Sequence, residues 1–309
     1  MKYSKIGDVK VSYCAAMKDI AKKIDVFYEE NCPAGRKTTY GTGGNADGAF
    51  YPENAGKAAV LIEKLKENGV PYVFFGAGSN ILVSDKGFSG AIIYSERLKN
   101  ISVSGRTIVA ESGVTLADFL KSALYSSLGG VEFLSGIPAS VGGAIAQNAG
   151  CYGKNIGDYV SYVVTAGGIY PRKACGFEYR DSVFKKTKEF IVSACFTLEN
   201  VEFDESREKC DKFLKLRQKK NPKGRSCGSV FKNDGYFAGK IIEQAGLKGA
   251  TEGGARVSEK HANFIIADKN ATSGDIKRLI TRIKTVVKEK TGIDLSEESE
   301  YIGEFDEIQ

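Results

Sequence analysis

Histidine is nearly missing from this sequence: His261 is the only one in 309 residues. A site built on two histidine ligands is therefore excluded, and any Ser–His or Cys–His pair has one candidate base. Cysteine is not scarce, at seven residues, but no Cys-x-x-Cys or zinc spacing occurs. No metal site is expected. The opening stretch MKYSKIGDVKVSYCAAMKDI has no apolar run long enough for a secretory leader or a membrane span. With an odd cysteine count, that points to reduced thiols and a cytoplasmic protein. Tandem repeats and low-complexity linkers are absent too. The net charge of +6 is modest and partly gathered in KFLKLRQKKNPKGR, where no series of aromatic platforms accompanies the charge. An anionic small molecule fits that run; nucleic acid and membrane do not.

What is present is a globular composition, 42% apolar and 27% charged, on a chain long enough for two or three domains. Helix and strand patterns alternate. Ala58, Leu61, Ile62 and Leu65 share one helical face over 55–68. VPYVFF, ILVSD, GAIIYS, NISVSG and RTIVAES read as strands, and a helix starting near Thr115 runs to Gly129-Gly130. YVSYVVTAGG, GIYPRK and EFIVSACFTLE are further strands. Helices follow over about 204–220 and from Ser273, read as an N-cap, to Gly292. Boundaries are placed near Glu96 and Asn200.

Three glycine-rich stretches stand out. FFGAGSN opens like a dinucleotide-binding turn but lacks the third glycine, where Ile81 stands, and runs on into a strand instead of a helix. Gly76, Gly78, Ser79 and Asn80 still offer bare N–H groups and short polar side chains, a nest for an anion. In SGIPASVGGAIAQNAG, Ser135, Gly136, Ala139, Ser140, Gly142, Gly143 and Ala144 strip side-chain bulk from a long run. Pro138 stiffens it, and Asn148 can meet a heterocycle edge. Together the two stretches suit a bulky cofactor with phosphate and ring parts. The third, TTYGTGGNAD, reads as a loop.

Arg180 in the turn YRDS can grip a carboxylate bidentately, and Arg217 and Lys220 share one face near a helix end, suited to a diphosphate. RSCGSVFKN leaves three readings open: Cys227 as nucleophile, Ser229 as proton donor, or a turn into a strand. The acidic tail GIDLSEESEYIGEF sits between apolar residues, which favours an ordered strand.

In order along the chain, TGGNAD, GAGSNILVSDKGFSGAII, LSGIPASVGGAIAQNAGCYG, YRDSVFK, CGSVFKN, AGKIIEQAGLKG, VSEKHANFI and YIGEF resemble the UDP-N-acetylenolpyruvoylglucosamine reductase family, flavoenzymes of peptidoglycan precursor synthesis. The short spacing from Arg180 to Ser229 resembles its shorter, second type. The resemblance implies an α+β protein with an FAD-binding domain of vanillyl-alcohol-oxidase type in two subdomains, 1–96 and 97–200, and a C-terminal α+β substrate-binding domain, 201–309. It implies FAD held by Gly76, Gly78, Ser79, Asn80, Ser135, Gly136, Ile137, Pro138, Ala139, Ser140, Gly142, Gly143 and Asn148. NADPH would be the reductant, UDP-N-acetylglucosamine enolpyruvate the substrate, and the protein a monomer. Ser229 would be the general acid, with Arg180 and Glu298 beside the substrate carboxylate. Tyr179, Arg217, Lys220, Asn233 and His261 would line the substrate pocket. The chain departs from the family at Gly41, often arginine, at Asp234, usually proline, and in Leu295-Ser296-Glu297-Glu298-Ser299-Glu300. The last departure leaves Glu297 and Glu300 as alternatives to Glu298.

Three competing functions make different demands. A flavin oxidase using oxygen would favour a histidine or cysteine near the FAD stretches for covalent attachment, and His261 lies far downstream. A nucleotide-binding protein without catalysis leaves Arg180, Ser229 and Glu298 without a task. A serine or cysteine hydrolase needs His261 beside Ser229 or Cys227, and CGSVF lacks the second glycine of a nucleophile elbow.

Overall fold

The structure is a computed structural model in which residues 13–306 are described; residues 1–12 of the opening stretch lie outside them. Helix α1 (Cys14–Ile24) turns Met17, Ile20 and Ala21 inward. It covers a four-stranded sheet in which Phe27–Cys32, Ala46–Tyr51, Phe88–Tyr94 and Tyr72–Phe75 lie side by side. The first pairing is antiparallel and the other two are parallel. Helix α2 (Ala55–Glu67) makes the crossover. Asn54 caps it by accepting from the Lys57 N–H, and Ala58, Leu61, Ile62 and Leu65 are buried. Leu61 and Leu65 are fully buried, worth about 1.5–3 kcal/mol each. The opposite sheet face, carrying Ala49, Tyr51, Ile92 and Tyr94, is buried as well.

A second unit holds an antiparallel sheet in the order Ile169–Pro171, Val160–Thr165, Ile191–Thr197, Thr107–Glu111 and Ile101–Ser104. Helix α3 (Leu116–Tyr125), capped by Thr115, places Phe119 on Phe196 with ring centroids 4.7 Å apart. It stops at Tyr125, short of the glycine pair expected to end it. Helix α4 (Val141–Ala146) is one short turn within the small-residue run, and helix α5 (Val183–Thr187) follows the YRDS turn.

Helix α6 (Phe203–Lys220) was expected to open the third unit but lies on the second. Ser206 Oγ donates to Glu132 and Arg217 Nε to the Ser135 carbonyl. We therefore propose that the units divide near 96 and near 220. Beyond 220, helix α7 (Ala238–Gln244) and helix α8 (Ser273–Thr291) pack on a three-stranded antiparallel sheet of Thr251–Glu252, Ala255–Val257 and Ile265–Ala267. Ser273 is the first helical residue of α8 and not its cap. Thr272 is the cap, because its hydroxyl accepts from the Asp275 N–H while the Asp275 carboxylate accepts from the Thr272 N–H.

The tail then returns across the molecule. Ser296 accepts from the Lys232 N–H, Glu298 donates to Val230, and Glu300–Ile302 pairs in parallel with Ile81–Val83. The third unit is thus stitched to the first. Among the described residues no helix is long and apolar enough to cross a membrane.

Candidate active site

The turn after Tyr72–Phe75 lies against the small-residue run. A Cβ at Gly76 would clash with Ser140 Oγ, which accepts from the Gly143 N–H and caps α4. Gly78 has φ +63° and leaves no room for a side chain, since a Cβ would sit 2.6 Å from the Lys37 carbonyl oxygen. The Thr39 N–H donates to the Gly78 carbonyl. The stretch TTYGTGGNAD is therefore the brace of this turn and the start of a strand, more than the loop it was read as. Across the gap, Gly142 presses on Ser112, where a Cβ would come within 2.7 Å of the serine Cβ. Gly76, Ser112, Gly142, Gly143, Lys185 and Glu300 are among the residues lining a groove of about 230 Å³ between the first two units.

Other members of the expected cofactor wall are already committed within the protein. Asn148, with φ 42°, donates to the Glu178 carbonyl and accepts from the Gly157 N–H. Its amide braces the wall. Asn80 gives its amide to the Glu298 carbonyl and its own carbonyl to the Glu300 N–H. Ser79 sits half-buried beside it. Ala139 accepts from the Leu116 N–H, Ile137 and Ala139 pack on the second core, and Pro138 lies between them. Gly136 (φ +75°) faces Leu214 and Arg217 of α6.

Arg180 occupies the left-handed region at φ 55°, uncommon for a bulky residue. Nε donates to Glu298 Oε1 at 2.7 Å and Nη2 to the Gly150 carbonyl at 2.9 Å, and the guanidinium lies 5.2 Å from the Tyr179 ring. The tail makes a bridge at Glu297, bends at Ser299 and becomes a strand from Glu300, so the contacts of its three glutamates tell them apart. Glu298 faces Arg180, and burial pushes its carboxyl above the ordinary value although Arg180, Lys185 and Lys232 all pull it down. Glu297 faces the other way, toward Lys277, Lys284 and the Tyr301 hydroxyl. Burial would raise it too, but those partners carry it below the usual range. Glu300 meets Gln147 and Lys185. Of the three candidate carboxylates, Glu298 alone pairs with Arg180.

Ser229 is half-buried beside Val230, the residue whose carbonyl holds the Glu298 N–H. Gly228 before it has φ +76° and open space on its side-chain face. Cys227 is buried, donating to the Ile81 carbonyl and accepting from Thr39 Oγ1. Burial pushes its thiol up to about 11, unlike a nucleophile.

The expected pocket residues fall into two groups. The Tyr179 hydroxyl accepts from the Asn233 N–H, and the Asn233 side chain accepts from the Ala238 N–H. Arg217 donates to the Ser135 carbonyl and to Cys151, and Lys220 lies 5.9 Å over the Tyr152 ring. His261 Nδ1 accepts from the Asn263 N–H and its ring meets Phe264, so it is spent on local structure. Lys185 and Gln147 went unnoticed in the sequence. The only signal was a lysine five positions after Arg180.

The glycine turn and the small-residue run lie together in an α+β chain, and an FAD-binding domain family matches residues 46–168, which include both; the class is an FAD-binding protein. The C-terminal domain of UDP-N-acetylenolpyruvoylglucosamine reductase matches residues 218–302. A reductase of that name from Caldanaerobacter subterraneus subsp. tengcongensis is 39% identical over 93% of this chain and 97% of its own. One from Staphylococcus haemolyticus is 38% identical over 89% and 92%. The crystal structure of the Thermus caldophilus enzyme superposes with a TM-score of 0.77 at 28% identity, covering 90% of this chain and 99% of its own. The chain belongs to the UDP-N-acetylenolpyruvoylglucosamine reductase family, whose members are FAD-containing oxidoreductases.

The residues present fit that cofactor. The Gly76–Ser140 and Gly142–Ser112 approaches pack the turn and the small-residue run closely, and Gly76, Ser112, Gly142 and Gly143 present little side-chain bulk to the groove they line. Ser112 Oγ, buried in that groove's lining, has no partner among the described residues.

Proposed function

We propose that the chain reduces UDP-N-acetylglucosamine enolpyruvate to UDP-N-acetylmuramate, with NADPH as reductant and FAD as carrier. The observation that carries this reading is the Arg180–Glu298 pair, with Glu298 bonded through its main chain to Val230, the residue after Ser229. The chemistry FAD supplies when bound is hydride transfer, from NADPH to the terminal enol carbon. The neighbouring carbon then carries an electron pair that spreads into the substrate carboxylate. Arg180 stabilises that charge as it grows. Glu298, whose buried carboxyl is biased toward the protonated state, shares the charge through a hydrogen bond. Ser229 gives its hydroxyl proton to the carbon, completing the lactyl ether. Gly76, Gly78, Ser140, Gly142 and Gly143 hold the cofactor, and Tyr179 and Asn233 frame the entry. Arg217 and Lys220 supply positive charge for the diphosphate. Monomeric state and a cytoplasmic location complete the proposal.

The test is one anaerobic cuvette. Yellow protein should bleach with NADPH and recover its colour on adding UDP-N-acetylglucosamine enolpyruvate. Recovery only when air enters would overturn the assigned substrate in favour of an oxidase. Protein that stays colourless after FAD is supplied would overturn the flavoenzyme reading itself.

A further inference from the structure

Arg180 and Lys185 are carried on one short segment, and Glu298 and Glu300 on another. The first runs from the YRDS turn into α5 and is anchored to the α4 region: Ser182 Oγ donates to the Ala146 carbonyl, and Asn148 to the Glu178 carbonyl. The second is the tail, in which Glu298 and Glu300, on either side of a bend at Ser299, both meet side chains of the first segment. Two rungs cross between them. One is Arg180–Glu298 at 2.7 Å. The other is built around Gln147 at the end of α4, whose amide donates to Glu300 Oε1 at 3.1 Å and whose carbonyl accepts from Lys185 Nζ at 3.0 Å. Lys185 stands 3.8 Å from Glu300, and Lys188 at 4.0 Å adds a weaker, exposed partner. The side chain of Lys185 is 21% exposed and that of Glu300 32%, so the second rung lies in the groove and not on the surface.

We propose that Lys185 is a positioning residue: with Gln147 it grips Glu300, keeps the tail docked on the cofactor wall, and so holds Glu298 in line with Arg180 when a substrate carboxylate arrives. The first rung alone is poorly suited to that task. Its arginine must also serve the substrate, and charge drawn toward a third group weakens the hold on Glu298. The Lys185 rung touches no reacting atom and remains whole throughout. It also adds positive charge near Glu298, alongside Arg180 and Lys232. The same ammonium therefore has a geometric and an electrostatic effect on one carboxyl.

This inference rests on the proposed reaction, and the test separates the two. Lys185→Met and Lys185→Arg are compared with the parent holoenzyme by amide hydrogen exchange of the tail, by NADPH reduction, and by substrate-dependent reoxidation across pH. Lys185→Met should open the tail amides of 298–302 and slow reoxidation about tenfold. It should also move the limb set by Glu298 deprotonation, where reoxidation falls as pH rises, to higher pH, because a positive charge near Glu298 is gone. Reduction by NADPH, scored per bound flavin, should fall less than reoxidation, and Lys185→Arg should restore the limb and most of the rate. A lysine that only supports the fold would lower rate or stability without moving the limb. That result, or unchanged tail exchange in Lys185→Met, overturns the proposal. If Lys185→Met does not fold, Lys185→Gln and the charge swap Lys185→Glu with Glu300→Lys take its place: the swap must rescue what Lys185→Glu alone loses. A parent enzyme that shows no reoxidation by the substrate would overturn the assigned reaction, while the exchange data would still judge the rung.

Discussion

Glu297 and Glu298 are adjacent, chemically identical and both largely buried, yet they should fail in opposite ways. Glu297 takes Lys277 at 3.2 Å, Lys284 at 2.9 Å and the Tyr301 hydroxyl, with 16% of its side chain exposed. Glutamine cannot pair with two ammonium groups, and the loss of two half-buried pairs is worth about 2 kcal/mol. In a chain of this size that lowers Tm by about 4–6 °C. Reoxidation should not change, because the side chain points away from Arg180. Glu298→Gln retains an oxygen to accept from Arg180 Nε and removes a carboxyl that burial disfavours in its charged form. Tm should therefore stay within about 2 °C of the parent. Losing the acidic partner of the developing enolate should slow reoxidation about 10²–10³-fold, the scale of removing one preorganised donor. Scanning calorimetry and stopped-flow half-reactions read the two effects separately. Glu297→Gln that cripples reoxidation, with Glu298→Gln still active, would refute the assignment by contacts and move the catalytic carboxyl by one residue.

Ser229→Ala should leave reduction by NADPH near normal and slow reoxidation severely; survival of both half-reactions would remove Ser229 from the proton-donor role. Gly76→Ala should push Ser140 off the α4 cap, costing about 1 kcal/mol, and lower FAD occupancy, read by the flavin-to-protein absorbance ratio. Cys227→Ala should cost about 1–2 kcal/mol in urea unfolding but keep most turnover, since its thiol is tied to Ile81 and Thr39. An inactive, well-folded variant would reopen the thiol reading. His261 offers a pH test with one resonance. Burial pulls its pKa below 6.5, aided by Lys220 and Lys248 and opposed by its own backbone and Glu243. Below pH 6.5 the unfolded chain then binds more protons than the folded one. The stability His261 contributes should be complete above that pH and fall as pH drops through it. The histidine C2 proton should titrate below 6.5, and His261→Gln should flatten that part of the Tm profile.

The parts of the fold legible in sequence were those whose residues pack against near neighbours. Helix α2 shows its buried face at i, i+3, i+4 and i+7, and α3 shows its cap in Thr115. Strand Ala46–Tyr51 does not alternate, because all but one of its residues are buried, so no period of two marks it. Helix α4 is six residues of small side chains, too short for a helical period. The buried face of α6 is reduced to Ser206, so nothing local says which unit it covers. In the site, residue types were readable and orientation was not. Asn148 looks equally fit for a ring edge or for two backbone groups, and only the fold brings Gly157 and Glu178 to it. The three tail glutamates became distinct only through pairings with 80–83 and 230–232, distant in sequence.

Those pairings also decide which partner yields when a substrate carboxylate enters. Glu298 is fixed through the main chain, by its N–H on Val230 and its carbonyl on Asn80. Moving it would break bonds that join the first and third units. Arg180 is fixed through its side chain alone, by Nε on Glu298 and Nη2 on Gly150, and Nη1 has no hydrogen bond among the described residues. The guanidinium can donate from Nη1 to a third anionic oxygen without releasing either hold, because its five donors lie in one rigid fork. Substrate binding then leaves the Arg180–Glu298 contact in place but shares the guanidinium's charge with a second carboxylate, which weakens that hold without replacing it. A lysine at 180 has the charge but one nitrogen; it could keep Glu298 or meet the incoming carboxylate, and the left-handed turn that presents it would lose its brace at Gly150.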